Sequence, residues 1–183
     1  MHMKGFCEGI VNLIYKGVTS TKRIRIILTP LFSAAFLCVI LLAIFISFYM
    51  DQFLGFPEFI SKPYGVAIAM PFLIAGSSLW VWCVWKFFKE KGTPVPINPP
   101  PKLVTDGPYA YARNPMMTGV FMLLAGIGIL SGSMSLTFII TPVFVFISIL
   151  EFKYIEEPEL EKRFGKEYCE YKERTPIIIP KIR

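Results

Sequence analysis

Two nearly uninterrupted apolar runs, Ile24–Met50 and Tyr64–Phe88, set the terms for everything this chain can fold into. Spanning about 30 Å of hydrocarbon takes roughly 20 helical residues, and each run is long enough. A chain of 183 residues that is 54% hydrophobic and holds 17 Phe cannot hide that surface inside one soluble domain. The first run follows a basic stretch and exceeds the roughly 7–15 apolar residues of a signal peptide, so it reads as a retained anchor. The chain is expected to be an integral membrane protein.

Two further apolar segments follow. Pro115–Leu130 is short for a span, and Leu136–Ile155 returns after the polar turn Ser131–Ser135, so together they predict an antiparallel helical hairpin. Gly119, Gly126, Gly128 and Gly132 allow close helix contact, with the four-residue spacing of Gly128 and Gly132 typical of membrane helix packing. Pro71 and Pro142 interrupt their spans. Asp51–Pro63 reads as a loop. Lys91–Lys102, with Pro94, Pro96 and Pro99–Pro101, reads as a stiff, extended connector.

At the far end of the second run, Trp80, Trp82 and Trp85 gather beside Lys86 and Lys89, an arrangement that favours an aromatic belt at the lipid headgroups over a ligand cage. Residues 1–23 space Phe6, Ile10, Leu13 and Ile14 among lysines, as in a short interfacial helix or a frayed terminus. After Ile155, Leu160, Phe164, Tyr168 and Tyr171 recur at helical spacing among charges, predicting an amphipathic helix softened at Gly165. The tail Ile177–Arg183 is apolar and basic, suited to the membrane face.

The fold class is therefore all-α: a polytopic membrane protein with four or five membrane helices, including a C-terminal hairpin, plus a cytoplasmic amphipathic C-terminal helix. Of the 19 Lys and Arg residues, only Lys62 falls in a loop on the side opposite the rest. The positive-inside rule then places both termini and all the polar clusters in the cytoplasm. This topology also explains the net charge of +6 without invoking nucleic acid.

Several chemistries are excluded by residue type. The four cysteines (Cys7, Cys38, Cys83 and Cys169) have no paired spacing and His2 is the only histidine, so neither a disulfide framework nor a metal site is expected. Gly126-Ile-Gly128 lies inside a span and is no dinucleotide fingerprint. Phosphate loops, Ser-His-Asp sets and Cys-His pairs are missing. Chemistry here must use a reactive cofactor.

The polar residues that remain cluster at one end of the hairpin. Tyr109, Arg113 and Asn114 precede its outgoing arm, and Glu156 and Glu157 follow its returning arm. An arginine and carboxylates at membrane depth are costly unless paired or used for a ligand. Spacing leaves two readings equally open: a ligand site, or an ion pair from Arg113 to Glu156 or Glu157 that pins the hairpin.

The ordered motifs Gly107-Pro-Tyr-Ala-Tyr-Ala-Arg-Asn-Pro-Met-Met-Thr-Gly119, Glu156-Glu157, Phe164-Gly-Lys-Glu-Tyr168 and Tyr171-Lys-Glu-Arg-Thr-Pro176 carry a resemblance. Over roughly its last eighty residues, the chain resembles the isoprenylcysteine carboxyl methyltransferase family and its phospholipid methyltransferase relatives. The resemblance implies S-adenosylmethionine in a cytoplasmic pocket closed by the C-terminal segment, with a lateral opening to lipid. It implies cofactor contacts from Lys102, Leu103, Val104, Tyr109, Asn114, Pro115, Met116, Met117, Glu156 and Glu157. Arg113 and Glu156 are the candidate catalytic residues.

Three positions depart from that pattern. Asn114 stands where the family often has His, and Met117 where it usually has Tyr. Phe152 takes the place of the arginine that engages the carboxylate in prenylcysteine enzymes, leaving adjacent Lys153 as the candidate substrate contact. The acceptor is expected to be a lipophilic small molecule or lipid-modified substrate, a prenylcysteine-like carboxylate or a lipid amine, reached from the membrane lipid, with no obligatory protein partner.

The chain then reads as one domain: an interfacial segment (1–23), two membrane helices (24–90), and the connector, catalytic hairpin and cofactor-closing segment (91–183). Two rival readings are a membrane sterol-type reductase using NADPH, for which only Lys102 and Arg113 offer nearby positive charge, and a non-enzymatic helix-packing protein.

Overall fold

A computed structural model describes residues 2–178, with the side chains of residues 2–6 and Lys22 left aside. The part of the tail beyond Ile178, expected to pack on the membrane face, lies outside the described residues. The chain is all-helical, without a strand among the described residues. Helix α1 covers His2–Val18, α2 Lys22–Leu54, α3 Lys62–Lys89 and α4 Pro115–Ser131. The last long helix, Ser135–Phe164, contains α5 (Thr141–Glu151) and α6 (Glu157–Phe164), and α7 (Lys166–Arg174) follows a break at Gly165.

Three of these helices, Arg23–Leu54, Lys62–Lys89 and Ser135–Phe164, are long and apolar enough to cross a membrane. Only 6% of the most apolar window of α2 is buried by protein, and Phe45 and Leu42 stand more than half exposed. Such an unshielded apolar surface is stable only where lipid replaces water. Helix α4, at 17 residues, is apolar but shorter.

The expectation that the returning arm closes at Ile155 is corrected: the helix runs on to Phe164. It does so through two wide π-helical segments, Ser135–Ile140 and Phe152–Glu156. Each ends one residue short of an X-Pro step, at Thr141-Pro142 and Glu157-Pro158. Proline cannot donate to the carbonyl four residues back and its ring crowds it, and a widened turn absorbs both defects. Pro30 and Pro71 lie inside α2 and α3 without such a turn, so proline permits the widening without forcing it.

The connector also differs from expectation. It folds back instead of running extended: the Thr93 amide donates to the Asn98 carbonyl at 2.8 Å, the Asn98 amide to Val95 at 3.0 Å, and Val95 and Ile97 are buried. Prolines remove donors from this segment, but the remaining amides find partners within it.

The chain divides into two compact units. The second comprises residues 35–81 and 116–147, and its core is Val120, Leu124 and Leu136 with Ile40, Ile44 and Phe144 packed around them. Here α3 and α4 approach so closely that a methyl group on Gly76 would lie 2.8 Å from the Gly119 carbonyl oxygen. Gly132, expected to serve helix packing, instead takes φ +68 and forms the turn before the last long helix. At that turn Asp51 of α2 receives the Ser133 hydroxyl and, at 2.8 Å, the Ser135 amide, which caps the start of the next helix from another part of the chain.

Two predictions follow from this unit. Gly76→Ala should lower the unfolding temperature in detergent by several degrees, because the clash is with backbone, while Gly9→Ala, which meets nothing within 4 Å, should leave it unchanged. Asp51→Ala should cost about 1–3 kcal/mol by orphaning a buried amide and hydroxyl; unfolding identical to the parent chain would refute the cap.

Candidate functional site

The first unit comprises residues 2–34, 82–115 and 148–178 and gathers the polar clusters. Asp106-Gly107-Pro108 leads into a 3-10 turn, Gly107–Ala110, with Gly107 at φ +60. Lys86 at the end of α3 fixes the turn by an ion pair to Asp106 at 2.5 Å. This seats Tyr109 in the interior, 6% exposed, with its ring stacked on Phe87 at 5.0 Å between centroids. Burial pushes its phenol pKa far above the usual range, so Tyr109 is a neutral hydroxyl.

Arg113 forms a buried ion pair with Glu157, their side chains 8% and 3% exposed. The wide turn explains why Glu157 and not Glu156 is the partner. The Glu157 amide donates to the Phe152 carbonyl five residues back, which brings Phe152 and Glu157 onto one face. Both are buried, and the Arg113 guanidinium lies 5.9 Å from the Phe152 ring. The other Glu157 oxygen takes the Lys172 ammonium at 2.6 Å, and Lys172 also reaches Glu161 at 2.9 Å. These hydrogen bonds raise the Lys172 pKa. A raised ammonium pKa keeps the tie through neutral pH, and its contribution is lost only as pH rises through that raised value.

The C-terminal segment closes on the same loop. The Arg113 amide donates to the Pro176 carbonyl at 2.8 Å and the Asn114 amide to Ile177 at 2.9 Å. From α7 the Tyr171 hydroxyl donates to the Tyr109 carbonyl at 2.6 Å. Tyr168 is buried beside Arg113, its hydroxyl without a hydrogen-bond partner, as is Arg113 Nε. Sequence reasoning missed Tyr168, Tyr171 and Lys172 as members of this cluster; their helical spacing was the available signal, but it reads equally well as an amphipathic face.

The remaining candidates divide. Val104 and Pro115 are buried here, Leu103 and Asn114 half-buried, and Lys102 exposed. Glu156 is half-buried and lines a separate cavity of about 40 Å³ with Glu159 and Arg163. Lys153 is exposed, with its ammonium 5.9 Å from the Tyr154 ring. Met116 and Met117 belong to the second unit, where Met117 packs against the Val120, Leu124 and Leu136 core. Groups of three or more metal-ligating side chains are absent among the described residues.

Breaking a buried ion pair from one side costs roughly 3–5 kcal/mol. Because Lys172 retains one tie to Glu157, Arg113→Met should fall near the lower end, about 3 kcal/mol, while Lys172→Met, at a more exposed position, should shift unfolding much less. Equal losses from the two variants would show that the buried pair is not the dominant tie.

Residues 64–167 match the phospholipid methyltransferase family, more than half of the chain. None of the curated proteins compared with the chain matches it. The ordered motifs, the three membrane-length helices and this match agree: the chain belongs to the phospholipid methyltransferase family, a family of membrane methyltransferases.

Proposed function

We propose that this protein transfers a methyl group from S-adenosylmethionine to a lipophilic acceptor, a lipid amine or a prenylcysteine-like carboxylate, reached from the bilayer. The observation that carries the proposal is the Arg113–Glu157 pair, which joins the Gly107–Gly119 motif to the Glu156-Glu157 motif beneath the C-terminal segment in a chain of this family. In this reading α4 is a fourth span, at the lower limit of roughly 17–25 residues. The positive-inside rule, in the same reading, assigns both termini, the proline connector, the 103–114 stretch and the glutamate-rich helix to the cytoplasmic side.

The donor set suits the cofactor chemically. Glu156 supplies a carboxylate for its ammonium or ribose hydroxyls, and Leu103 and Val104 offer apolar surface for its base. Tyr109, as a neutral hydroxyl, is a donor without charge. Asn114, Pro115, Lys102 and Glu157 complete the set, with Lys153 toward the acceptor. When bound, the cofactor supplies a methyl on a sulfonium, and transfer to an amine or carboxylate needs alignment more than proton transfer. Arg113 and Glu157 hold the loop against the helix so that this alignment persists. Tyr109, Val104 and Phe152 are buried, and for a carboxylate acceptor a dry site favours the step, because the sulfonium and carboxylate charges disappear together.

Titration of the detergent-solubilised protein with S-adenosylhomocysteine, and separately with NADPH, tests the proposal. S-adenosylhomocysteine should bind and NADPH should not, and Glu156→Gln should weaken binding more than tenfold, about 1.4 kcal/mol. Heat from NADPH alone would point to a reductase; heat from neither would leave Arg113 and Glu157 as a structural tie.

A further inference from the structure

The corner between α1 and α2 carries charge that the Arg113 cluster leaves unused. Lys16 lies in the last turn of α1, and Lys22, Arg23 and Arg25 open α2, so four basic residues fall within residues 16–25. From Gly9 to Met50 the chain holds no Asp or Glu to offset them. The Thr19 hydroxyl donates to the Tyr15 carbonyl at 2.8 Å and the Ser20 hydroxyl to the Gly17 carbonyl at 2.6 Å, which closes α1 and leaves Lys16 one short turn from the start of α2. Lys16 and Arg23 are exposed and Arg25 is half-buried. None of the three forms an ion pair among the described residues, whereas Lys86, Arg113, Arg163, Lys166 and Lys172 all do. Arg25 Nε is buried without a hydrogen-bond partner. Its neighbours are apolar and open: Ile24, Ile26 and Ile27 are 47%, 56% and 70% exposed, and Leu13, one turn before Lys16, is 71% exposed.

We propose that this corner is a docking surface for anionic phospholipid, with Arg25 on a headgroup phosphate and Lys16 and Arg23 supplying the surrounding positive field. Arg25 stands in the first turns of a membrane-length helix, level with side chains that only lipid covers, and a cation there needs an anionic partner. Its stem lies along the apolar surface while the guanidinium reaches the phosphate level, and the guanidinium fork matches phosphate oxygens. Arg23 and Arg25, two positions apart on a helix, do not face each other, so the charge spreads over neighbouring headgroups instead of clamping one. A soluble anion would meet the charges and leave the isoleucines and Leu13 in water. A zwitterionic lipid brings an ammonium that the cations repel, so the surface selects headgroups of net negative charge. Helix α1 packs against α6 and the Phe152–Glu156 turn, with Lys162 of α6 bonded to Asn12 at 2.9 Å. Lipid held at the corner therefore ties α1, and the helix beneath it, to the membrane surface.

Native mass spectrometry of the full chain, released from micelles holding equal amounts of phosphatidylglycerol and phosphatidylcholine, reads this selection directly. A basic residue beside an anionic leaflet is worth about fivefold in binding, so the parent chain should retain phosphatidylglycerol over phosphatidylcholine by roughly tenfold or more. Arg25→Gln should lower that ratio about fivefold. The triple variant Lys16→Gln, Arg23→Gln, Arg25→Gln should bring it to unity, and Lys62→Gln, at the start of α3, should leave it at the parent value. Thermal unfolding in lipid-free detergent establishes that each variant is folded; should the triple variant fail to fold, Arg23→Gln and Arg25→Gln singly carry the test. Equal retention of the two lipids by the parent chain, or a parent-like ratio in the folded variants, overturns the proposal. Displacement of phosphatidylglycerol by an equal concentration of glycerol 3-phosphate would show that the anion alone suffices, and would overturn the lipid surface.

Discussion

The buried contact between Arg113 and Glu157 is the constraint on which the first unit depends. Neither charge tolerates a dry environment alone, so each position is determined by the other. Through Arg113 the contact fixes the loop that carries Tyr109; through Glu157 it fixes the wide turn of the last long helix. Lys172 extends it into α7, and the amides of Arg113 and Asn114 extend it to the C-terminal segment. The loop around Arg113 and three later stretches, the wide turn, α7 and the C-terminal segment, are thus held by one carboxylate and the residues around it.

The second unit relies on different physics. In lipid, apolar burial gives little drive for helices to associate, and close backbone approach and hydrogen bonds take over. Gly76 against Gly119 supplies the first, and Asp51 at the Ser133–Ser135 turn supplies the second. The apolar exteriors of α2 and α3 remain unsheltered by protein, as the three membrane-length helices require.

The helices were legible because their apolar runs need no partner to be recognised: Ile24–Met50 and Tyr64–Phe88 lie inside α2 and α3 with a few residues added at each end. The hairpin turn was legible in the polar run Ser131–Ser135. The wide turns were not, because Pro142 and Pro158 look no different in sequence from Pro30 and Pro71, which have no such turn, and the difference lies in tertiary context. That single irregularity moved Glu157, and not Glu156, under Arg113. The folded connector was hidden for a similar reason: proline spacing predicts stiffness, whereas the Thr93–Asn98 closure depends on which amides remain. Asp51, read as the start of a loop, gave no sign of the distant amide it caps.

The central claim is that the loop at Tyr109–Asn114, the turn at Phe152–Glu157 and the C-terminal segment respond to one ligand as a unit. Amide hydrogen exchange of the solubilised protein with and without S-adenosylhomocysteine measures this directly. Protection should rise together in residues 103–115 and 152–178, with residues 51–62 unchanged. Exchange unaltered in both segments, or altered in only one of them, would contradict the account.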